Sequence, residues 1–499
     1  MGTATQDRIN ALVEWATCHG ATLNQSVEVY DSPRTGLSFR VSPSSTANLQ
    51  PWDSIVSIPT SLTLSYVDAL RSSFLPAEVL SSLKPHIVGR LFLIKQFLLG
   101  EASFWHPYIA ALPQPLDKDA WALPPFWDDD DAELLEGTNV EVGVEKIRAD
   151  VKSEYEGAAA LLRAHHAANE DISHLLGKLS ARLYQWAYCI FSSRSFKPSL
   201  VLSPQDLPAG ANMDDFSVLL PLFDVGNHDM TAPVRWELCL DDDDNGNGNE
   251  KAEKARRHRC HLRVGRPHAP GDQVFNNYSL KTNAELLLGY GFVLPFTEEL
   301  HNDYTHVRKR TADPDPGTPA EEYYISRMPT AHPSSLLVQS RQPPLLDSPG
   351  VLPAFSHVPQ AMVWDIFCTL TPSSSQRAQL FPKKEEGGEE EEEGEEERER
   401  RQQNAFLRGD VGDGEARMYL EQTVAIIQHK VLQELERLEE TEVEVGEGDE
   451  AGLTPRQRLA LEYRARCRAV LENTLEAMGC LEEEEEEEDE KDEGEENQG

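Results

Sequence analysis

Apolar and polar residues follow one another along the chain in two ways, which predict two kinds of element. Apolar side chains recur every three or four positions in 8–18, 418–438 and 455–478, which indicates amphipathic helices. Strict alternation through "VEVYDSPRTGLSFRVS" predicts two strands joined by a turn at Pro33 to Gly36. The chain therefore combines helices with strands, and its predicted class is α+β.

The order of these patterns separates strand-rich from helix-rich regions. Short strands follow the first helix up to residue 65, and residues 66–195 then show helical patterns. Strand patterns return at 216–223, 234–240, 260–266 and 272–278. Because the strands on either side of the helical stretch must complete one another, we predict one β-fold with a helical insertion. A mostly helical region is expected to follow from about residue 301.

The 499-residue chain has a formal net charge of −40, and this charge is unevenly distributed. Three tracts, 383–401, 439–450 and 482–499, account for −25 of it. Runs of like charge repel one another and stay solvated. We therefore expect disordered segments at the polar loop of about 241–257, the acidic loop of about 383–403 and the tail 481–499. The acidic balance disfavours direct nucleic-acid binding and favours basic protein partners.

Cysteine spacing and the N-terminal sequence bear on location. The seven cysteines include no C-x-x-C pair, which is typical of free thiols in a reducing compartment. The N-terminal sequence has no basic segment followed by a long apolar run, so we expect neither a signal peptide nor a membrane-spanning segment. A cytoplasmic and/or nuclear monomer without a membrane partner is expected.

Three stretches place polar side chains at the end of an apolar element: "SSRSF" at 192–196, "PLFDVGNHDM" at 221–230, and "GDQVFNNYSLKTNAELLLGYGFV" at 271–293. Buried polar groups need hydrogen-bond partners, so these side chains either satisfy one another or face a ligand. Taken singly, each favours a structural interpretation, such as a turn or a solvated charge at a helix C-terminus. Their joint order and spacing favours a functional site.

Together, these stretches resemble SET-domain methyltransferases of the Rubisco large-subunit methyltransferase class. "SFWHPYIAALP" and "PFWDDDDAELLEGT" are similar to the helical insertion of that class, and "TPRQRLALEYRARCRAVLENTLEAM" is similar to the last helix of its substrate-binding domain. The resemblance implies a SET domain with a pseudoknot-like cofactor site, formed by residues 1–65 and 196–300. It further implies a helical insertion at 66–195 and a helical substrate-binding-like domain at 301–480.

The resemblance also implies roles for individual residues. Tyr278 matches the catalytic tyrosine of the class. The residues implied in binding S-adenosylmethionine are Arg34, Thr35, Gly36, Arg194, Asp224, Asn227, His228, Tyr290 and Phe292. Those implied to line the substrate channel are Phe196, Phe223 and Tyr290. The implied chemistry requires no metal.

The turn at Pro33 to Gly36 departs from the pattern of the class. The class usually has Gly-x-Gly there, whereas this chain has Arg34 at the first glycine position and retains only Gly36. Glycines at such positions serve a positive φ or a close backbone approach. Arg34 therefore raises the question whether the cofactor binds weakly.

The implied reaction is methyl transfer from S-adenosylmethionine to a lysine of a non-histone protein, with ribosomal proteins among the candidate substrates. A lysine amine has a pKa of about 10.4 and must be neutral to attack. An apolar channel and a nearby sulfonium charge both disfavour its ammonium form.

Three alternatives stay open. The actin-histidine branch of the class carries Asn at the position of Phe196 and Trp at that of Phe223, so the two phenylalanines here favour lysine over histidine. A catalytically weak SET-fold binding module is suggested by Arg34 and the acidic tracts. An acidic chaperone-like protein that shields basic partners is the third alternative.

Overall fold

The structure of the protein is a computed structural model. It describes residues 3–165, 170–202, 204, 207, 211–240, 258–308, 322–345, 350–371, 373–381, 394–412, 414–443 and 452–479. The predicted disordered segments at 241–257 and 481–499, and residues 383–393 of the predicted acidic loop, lie outside these described residues.

Spatial packing divides the chain into two compact units. The first unit consists of Met1–Phe126, Glu145–Leu280 and Gly289–Gly291, and the second of Trp127–Val144, Lys281–Leu288 and Phe292–Gly499. Residues 127–144 thus pack in the second unit, although the sequence pattern places them inside the helical insertion. The proposed boundaries at 65, 195 and 300 follow the sequence pattern and stay predictions.

The first unit contains the strand-rich part of the chain and most of the helices that follow residue 65. Its helices are α1 (Thr3–Cys18), α2 (Tyr66–Ser72), α3 (Ala77–Ser82), α4 (Pro85–Leu99), α5 (His106–Ala111), α6 (Lys118–Trp121), most of α8 (Glu141–His165), α9 (Glu170–Lys178) and α10 (Ala181–Arg194). Its strands are β1 (Thr22–Leu23), β2 (Val27–Ser32), β3 (Gly36–Val41), β4 (Ser54–Pro59), β5 (Leu64–Ser65), β6 (Ser195–Phe196), β7 (Val218–Leu219), β8 (Val234–Leu240), β9 (His258–Val264) and β10 (Gln273–Val274).

The strands of the first unit form three small sheets, with orders β1-β4-β9-β8, β10-β3-β2 and β5-β7-β6. The predicted β2–β3 hairpin forms, and Ser32 pairs opposite Gly36 across its turn. Strands from before and after the helical stretch pair with one another, since β4 pairs with β9 and β3 pairs with β10. The helical stretch is therefore an insertion in one β-fold, as its sequence pattern predicts.

Two predicted strands are shorter than expected. Only Val218–Leu219 of 216–223 and Gln273–Val274 of 272–278 are strands. Leu222 has φ of 70°, a left-handed conformation that ends extended structure, and a 3₁₀ helix over Phe223–Val225 follows it. Both differences occur where polar site residues follow the apolar run.

The second unit is mostly helical. Its remaining elements are α7 (Asp129–Ala132), α11 (Asn283–Tyr290, whose last two residues fall in the first unit), β11 (Tyr304–Arg308), β12 (Glu322–Ser326), α12 (Leu336–Arg341), α13 (Gln360–Leu370), α14 (Ser374–Leu380), α15 (Glu395–Arg408), α16 (Glu415–Glu440) and α17 (Pro455–Ala477). The apolar stripes of α16 and α17 pack into one core with α13 and α15, which contains Phe367, Phe406, Ile427 and Leu471. Strands β11 and β12 pair antiparallel in a two-stranded sheet that the sequence pattern did not indicate.

Residues 395–403 belong to α15, although they fall within the acidic segment expected to be disordered. Three glutamates occupy the first turn of α15, where a negative charge interacts favourably with the helix dipole. Phe406 and Leu407 at its other end are fully buried. Two buried apolar residues therefore anchor a helix whose Glu, Arg and Gln residues also have high helix propensity. None of the helices described here is long and apolar enough to cross a membrane.

Candidate functional site

Two short segments of the first unit, residues 226–229 and 276–278, run side by side in the same direction. His228 and Asn276 form an isolated parallel bridge. The Asn276 amide donates to the Asn227 carbonyl at 2.7 Å, and the Asp229 amide donates to the Asn276 carbonyl at 2.9 Å. These bonds bring together two stretches that lie about fifty residues apart in the sequence, as a pseudoknot-like arrangement requires.

Tyr278 is held at both ends of its side chain. Its backbone amide donates to Nδ1 of His228 at 3.0 Å, and its hydroxyl donates to the Gly226 carbonyl at 2.9 Å. The ring stacks on His228, with centroids 4.9 Å apart, and on Tyr290, with centroids 5.0 Å apart. The ring and the hydroxyl of Tyr278 thus have one defined position.

Aromatic side chains form an apolar wall in the same unit. Phe196 meets Phe223 edge to face at 5.3 Å and Trp236 edge to face at 5.5 Å. The indole nitrogen of Trp236 donates to Oδ1 of Asn276 at 2.8 Å. Trp236 therefore connects the wall to the segment that carries Tyr278. Trp236 was not identified from the sequence, where it is only one position of an alternating strand.

Asn227 joins its segment to the hairpin of β2 and β3. Its carboxamide nitrogen donates to the Leu37 carbonyl at 3.3 Å and to the Ser38 hydroxyl at 2.5 Å. Ser38 in turn lies 2.9 Å from the Thr35 hydroxyl. Within the described part of the chain, no hydrogen bond occupies the carboxamide oxygen of Asn227, which is only partly buried. That oxygen is available to accept a hydrogen bond from a ligand.

The conformation of the hairpin turn bears on one of the two reasons for a glycine at position 34, the need for a positive φ. Gly36 has φ of +66°, and a Cβ placed on it would meet no atom within 4 Å, so its conformation rather than its lack of bulk requires glycine. Arg34 is exposed and is not among the described residues with a positive φ. A glycine at position 34 therefore has no conformational advantage in this turn.

The charged groups of the site lie on its buried side. The Asp224 carboxylate accepts a hydrogen bond from the Tyr108 hydroxyl at 2.9 Å and lies 3.6 Å from Nη1 of Arg194. Nη1 of Arg194 also donates to the Asp224 carbonyl at 3.5 Å. Tyr108 was not identified from the sequence, where it lies in an apolar stretch of the insertion.

Burial dominates the protonation behaviour of these groups. Burial raises the pKa of the Asp224 carboxyl above its usual value, although Arg194 and Tyr108 oppose the shift. Burial also raises the pKa of Tyr278, and the positive charge of Arg194 opposes that increase. Tyr278 is therefore a neutral phenol at neutral pH, and its hydroxyl proton is engaged by the Gly226 carbonyl.

Most of the residues singled out from the sequence lie in the first unit. The structure links Tyr278 with His228 and Tyr290 in one stack, Phe196 with Phe223 in one wall, and Arg194 with Asp224 in one ion pair. Asn227 connects this set to the turn that contains Arg34, Thr35 and Gly36. Phe292 belongs to the second unit.

Comparison with proteins of known structure defines the class of the fold. The chain superposes on the SET domain of LSMT crystallised with lysine and AdoHcy with a TM-score of 0.59, covering 97% of this chain and 92% of that one at 18% identity. A structure of Rubisco LSMT with sinefungin and monomethyllysine matches with a TM-score of 0.57. The chain thus has the SET-domain fold of the Rubisco large-subunit methyltransferase class, and the predicted α+β fold is confirmed.

Curated relatives add similarity at the level of sequence. The ribosomal lysine N-methyltransferase set10 of Schizosaccharomyces pombe is 28% identical over 310 residues, which is 60% of this chain and 50% of that protein. The protein-lysine N-methyltransferase EFM1 of Saccharomyces cerevisiae is 26% identical over 321 residues, 58% of this chain and 50% of that protein. The chain thus spans about half the length of these relatives. No protein-family model matches it.

Proposed function

We propose that the chain is an S-adenosylmethionine-dependent protein-lysine N-methyltransferase. The observation that carries this proposal is the fixed phenol of Tyr278, whose segment is connected to an aromatic wall by Trp236. The hydroxyl proton of Tyr278 is donated to Gly226, so the lone pairs of the same oxygen can accept from an incoming amine. One oriented acceptor of this kind aligns a nucleophile for displacement.

The residues of the site suit the proposed cofactor. S-adenosylmethionine, when bound, supplies a sulfonium methyl group that is open to nucleophilic attack. Asn227 offers its carboxamide oxygen to an ammonium group, because its nitrogen is already engaged by Leu37 and Ser38. The space beside Gly36 can admit a ligand next to the backbone, since no atom lies within 4 Å of its missing Cβ. Arg194, Asp224 and His228 would support these positions from the buried side.

The proposed acceptor is lysine. Phe196 and Phe223 present an apolar wall, which accommodates the aliphatic part of a lysine and disfavours its charged form. Aromatic faces also stabilise a methylated ammonium product through cation–π interaction. No amide stands at position 196 or 223 to bind an imidazole, so the histidine alternative has no support from these residues.

The proposed substrate is a basic, non-histone protein, and a ribosomal protein is the first candidate. The similarity to set10, which is named as a ribosomal lysine methyltransferase, supports this choice. The net charge of −40 favours association with a basic partner. We further propose that the chain acts as a monomer in the cytoplasm and/or the nucleus.

The test is methyl transfer from labelled S-adenosylmethionine into an extract of cells that lack the protein. We expect label on lysine with the wild-type chain, and a rate lowered by about a hundredfold or more in Tyr278→Phe. Mass spectrometry identifies the modified residue. Label on histidine contradicts the proposed acceptor. Absence of label, together with no calorimetric binding of S-adenosylhomocysteine, favours the binding-module alternative.

A further inference from the structure

The hydroxyl of Tyr108 contacts the site residue Asp224, but the proposed reaction gives this hydroxyl no role. Tyr108 lies on α5 and is 1% exposed. A buried hydroxyl needs a partner, and here the partner is the Asp224 carboxylate at 2.9 Å. Asp224 is itself buried, and its second partner is Arg194. We call Tyr108, Asp224 and Arg194 the Tyr108 network.

Asp224 is the middle residue of the 3₁₀ turn Phe223–Val225, and residues before and after it contribute to the site. The preceding residue, Phe223, belongs to the aromatic wall. Two residues later, the Gly226 carbonyl accepts the hydrogen bond from the Tyr278 hydroxyl. A displacement of Asp224 therefore moves one wall of the channel and the anchor of the phenol together.

This turn begins in a strained conformation. Leu222 has φ of 70°, which is unusual for a residue with a branched side chain. Such conformations persist only where the surrounding structure holds them in place. The hydrogen bonds from Tyr108 and Arg194 hold Asp224, which follows Leu222 by two residues, and so restrain the turn.

We propose that Tyr108 is a positioning residue for methyl transfer, which through Asp224 holds the turn that anchors the Tyr278 hydroxyl. This inference rests on the proposed function. Tyr108 touches neither the Tyr278 ring nor the aromatic wall in the described contacts, and it acts by keeping the Gly226 carbonyl in place. Its removal lowers the turnover number and leaves the binding of the methyl donor nearly unchanged.

The first unit provides a matched control. Tyr184, on α10, is fully buried and donates its hydroxyl to Glu154 at 3.2 Å, and Arg90 pairs with the same carboxylate. We call Tyr184, Glu154 and Arg90 the Tyr184 network. It has the same three chemical groups, but none of its described contacts reaches the segments 226–229 or 276–278. A purely structural effect of losing a buried phenol hydroxyl appears in both networks alike.

The experiment compares Tyr108→Phe with Tyr184→Phe, since each change removes one hydroxyl and keeps the ring. The acceptor is total ribosomal protein from cells that lack this protein, and Tyr278→Phe is the inactive reference. We expect Tyr108→Phe to lower the maximal rate by about tenfold to a hundredfold, with a KM for S-adenosylmethionine within about threefold of the wild type. Tyr184→Phe is expected to keep the wild-type rate, with a similar loss of thermal stability.

A second measurement does not require turnover. In protein labelled with ¹³Cζ-tyrosine, the Tyr278 resonance, assigned with Tyr278→Phe, reports the environment of its hydroxyl. We expect Tyr108→Phe to shift this resonance and Tyr184→Phe to leave it unchanged. Equal rates and unshifted Tyr278 signals in both variants overturn the inference. No transfer by the wild type refutes the proposed function instead, and the NMR comparison still decides whether Tyr108 positions Tyr278.

Discussion

The Tyr108 network and the Tyr184 network contain the same chemical groups in different surroundings. In each network, a buried tyrosine hydroxyl donates a hydrogen bond to a carboxylate, and an arginine forms an ion pair with the same carboxylate. Arg194 lies 3.6 Å from Asp224, whose side chain is 2% exposed. Glu154 is 21% exposed, contacts Arg90 more closely and is also 2.8 Å from His86.

These differences reverse the direction of the pKa shifts. Burial raises the pKa of Asp224, since one distant arginine does not compensate the lost hydration. Burial has the same tendency at Glu154, but the hydrogen bond from His86 and the charge of Arg90 together lower its pKa. Pairing with an arginine alone therefore does not determine the protonation state of a buried carboxylate. The exposure of the carboxylate and the number of groups that donate hydrogen bonds to it decide the direction of its pKa shift.

The largest difference between the networks is expected when each carboxylate is removed. Asp224→Ala removes the carboxylate that pairs with Tyr108 and Arg194 and releases the turn before Gly226. We expect methyl transfer to fall by about a hundredfold or more, whereas Glu154→Ala is expected to keep the activity per folded molecule.

Both carboxylate deletions are expected to lower the free energy of unfolding by about 3 kcal/mol, because each leaves a partly buried arginine without its carboxylate partner. Circular dichroism establishes the folded fraction, and labelled transfer gives the rate. Should Asp224→Ala fail to fold, Asp224→Asn keeps the shape of the side chain and serves in its place. Equal activities in folded Asp224 and Glu154 variants would contradict the functional distinction between the networks.

The second expected effect concerns pH. The contributions of Asp224 and Glu154 to stability change with pH in opposite directions. Because the folded-state pKa of Asp224 is raised, its contribution to stability is complete below the ordinary pKa of about 3.9 and is lost as pH rises through the raised value. Because the folded-state pKa of Glu154 is lowered, its contribution is present above about 4.3 and is lost as pH falls through the lowered value.

Asp224→Asn is therefore expected to cost less stability at pH 7 than at pH 4, and Glu154→Gln to cost more at pH 7 than at pH 4. The expected changes in melting temperature are a few degrees, about 2–4 °C for each kcal/mol. Thermal unfolding of the wild type and both variants across this range provides the measurement. Parallel pH profiles would show that the two carboxylates do not differ in the way their surroundings indicate.

The smallest effect is expected for a third arginine, Arg34, which belongs to neither network. Its side chain is exposed in the turn between β2 and β3, and its φ is not positive. We expect Arg34→Gly to change the dissociation constant of S-adenosylhomocysteine by less than about threefold, since a change at an exposed position costs within about 0.5 kcal/mol. Calorimetry measures this dissociation constant for the wild type and the variant. Binding that becomes tenfold tighter would show that the arginine obstructs the site.

Much of the site could be predicted from short stretches of sequence. Asn227, His228, Tyr278 and Tyr290 lie within contiguous motifs, and the structure brings them together as neighbours. Tyr108 could not be predicted, because its partner Asp224 is 116 residues further along the chain. No local pattern separates a tyrosine with a distant carboxylate partner from an ordinary core tyrosine.

Local periodicity in the sequence alone predicted several elements of this protein. The β2–β3 hairpin follows from alternation around a turn, and α16 and α17 follow from apolar stripes. The tertiary structure alone decided how far the strands at 216–223 and 272–278 extend, and which tyrosines meet a carboxylate. It also decided the direction of each pKa shift. Hydration and charge depend on neighbours that only the folded chain brings within a few ångströms, whereas periodicity depends on neighbours along the chain.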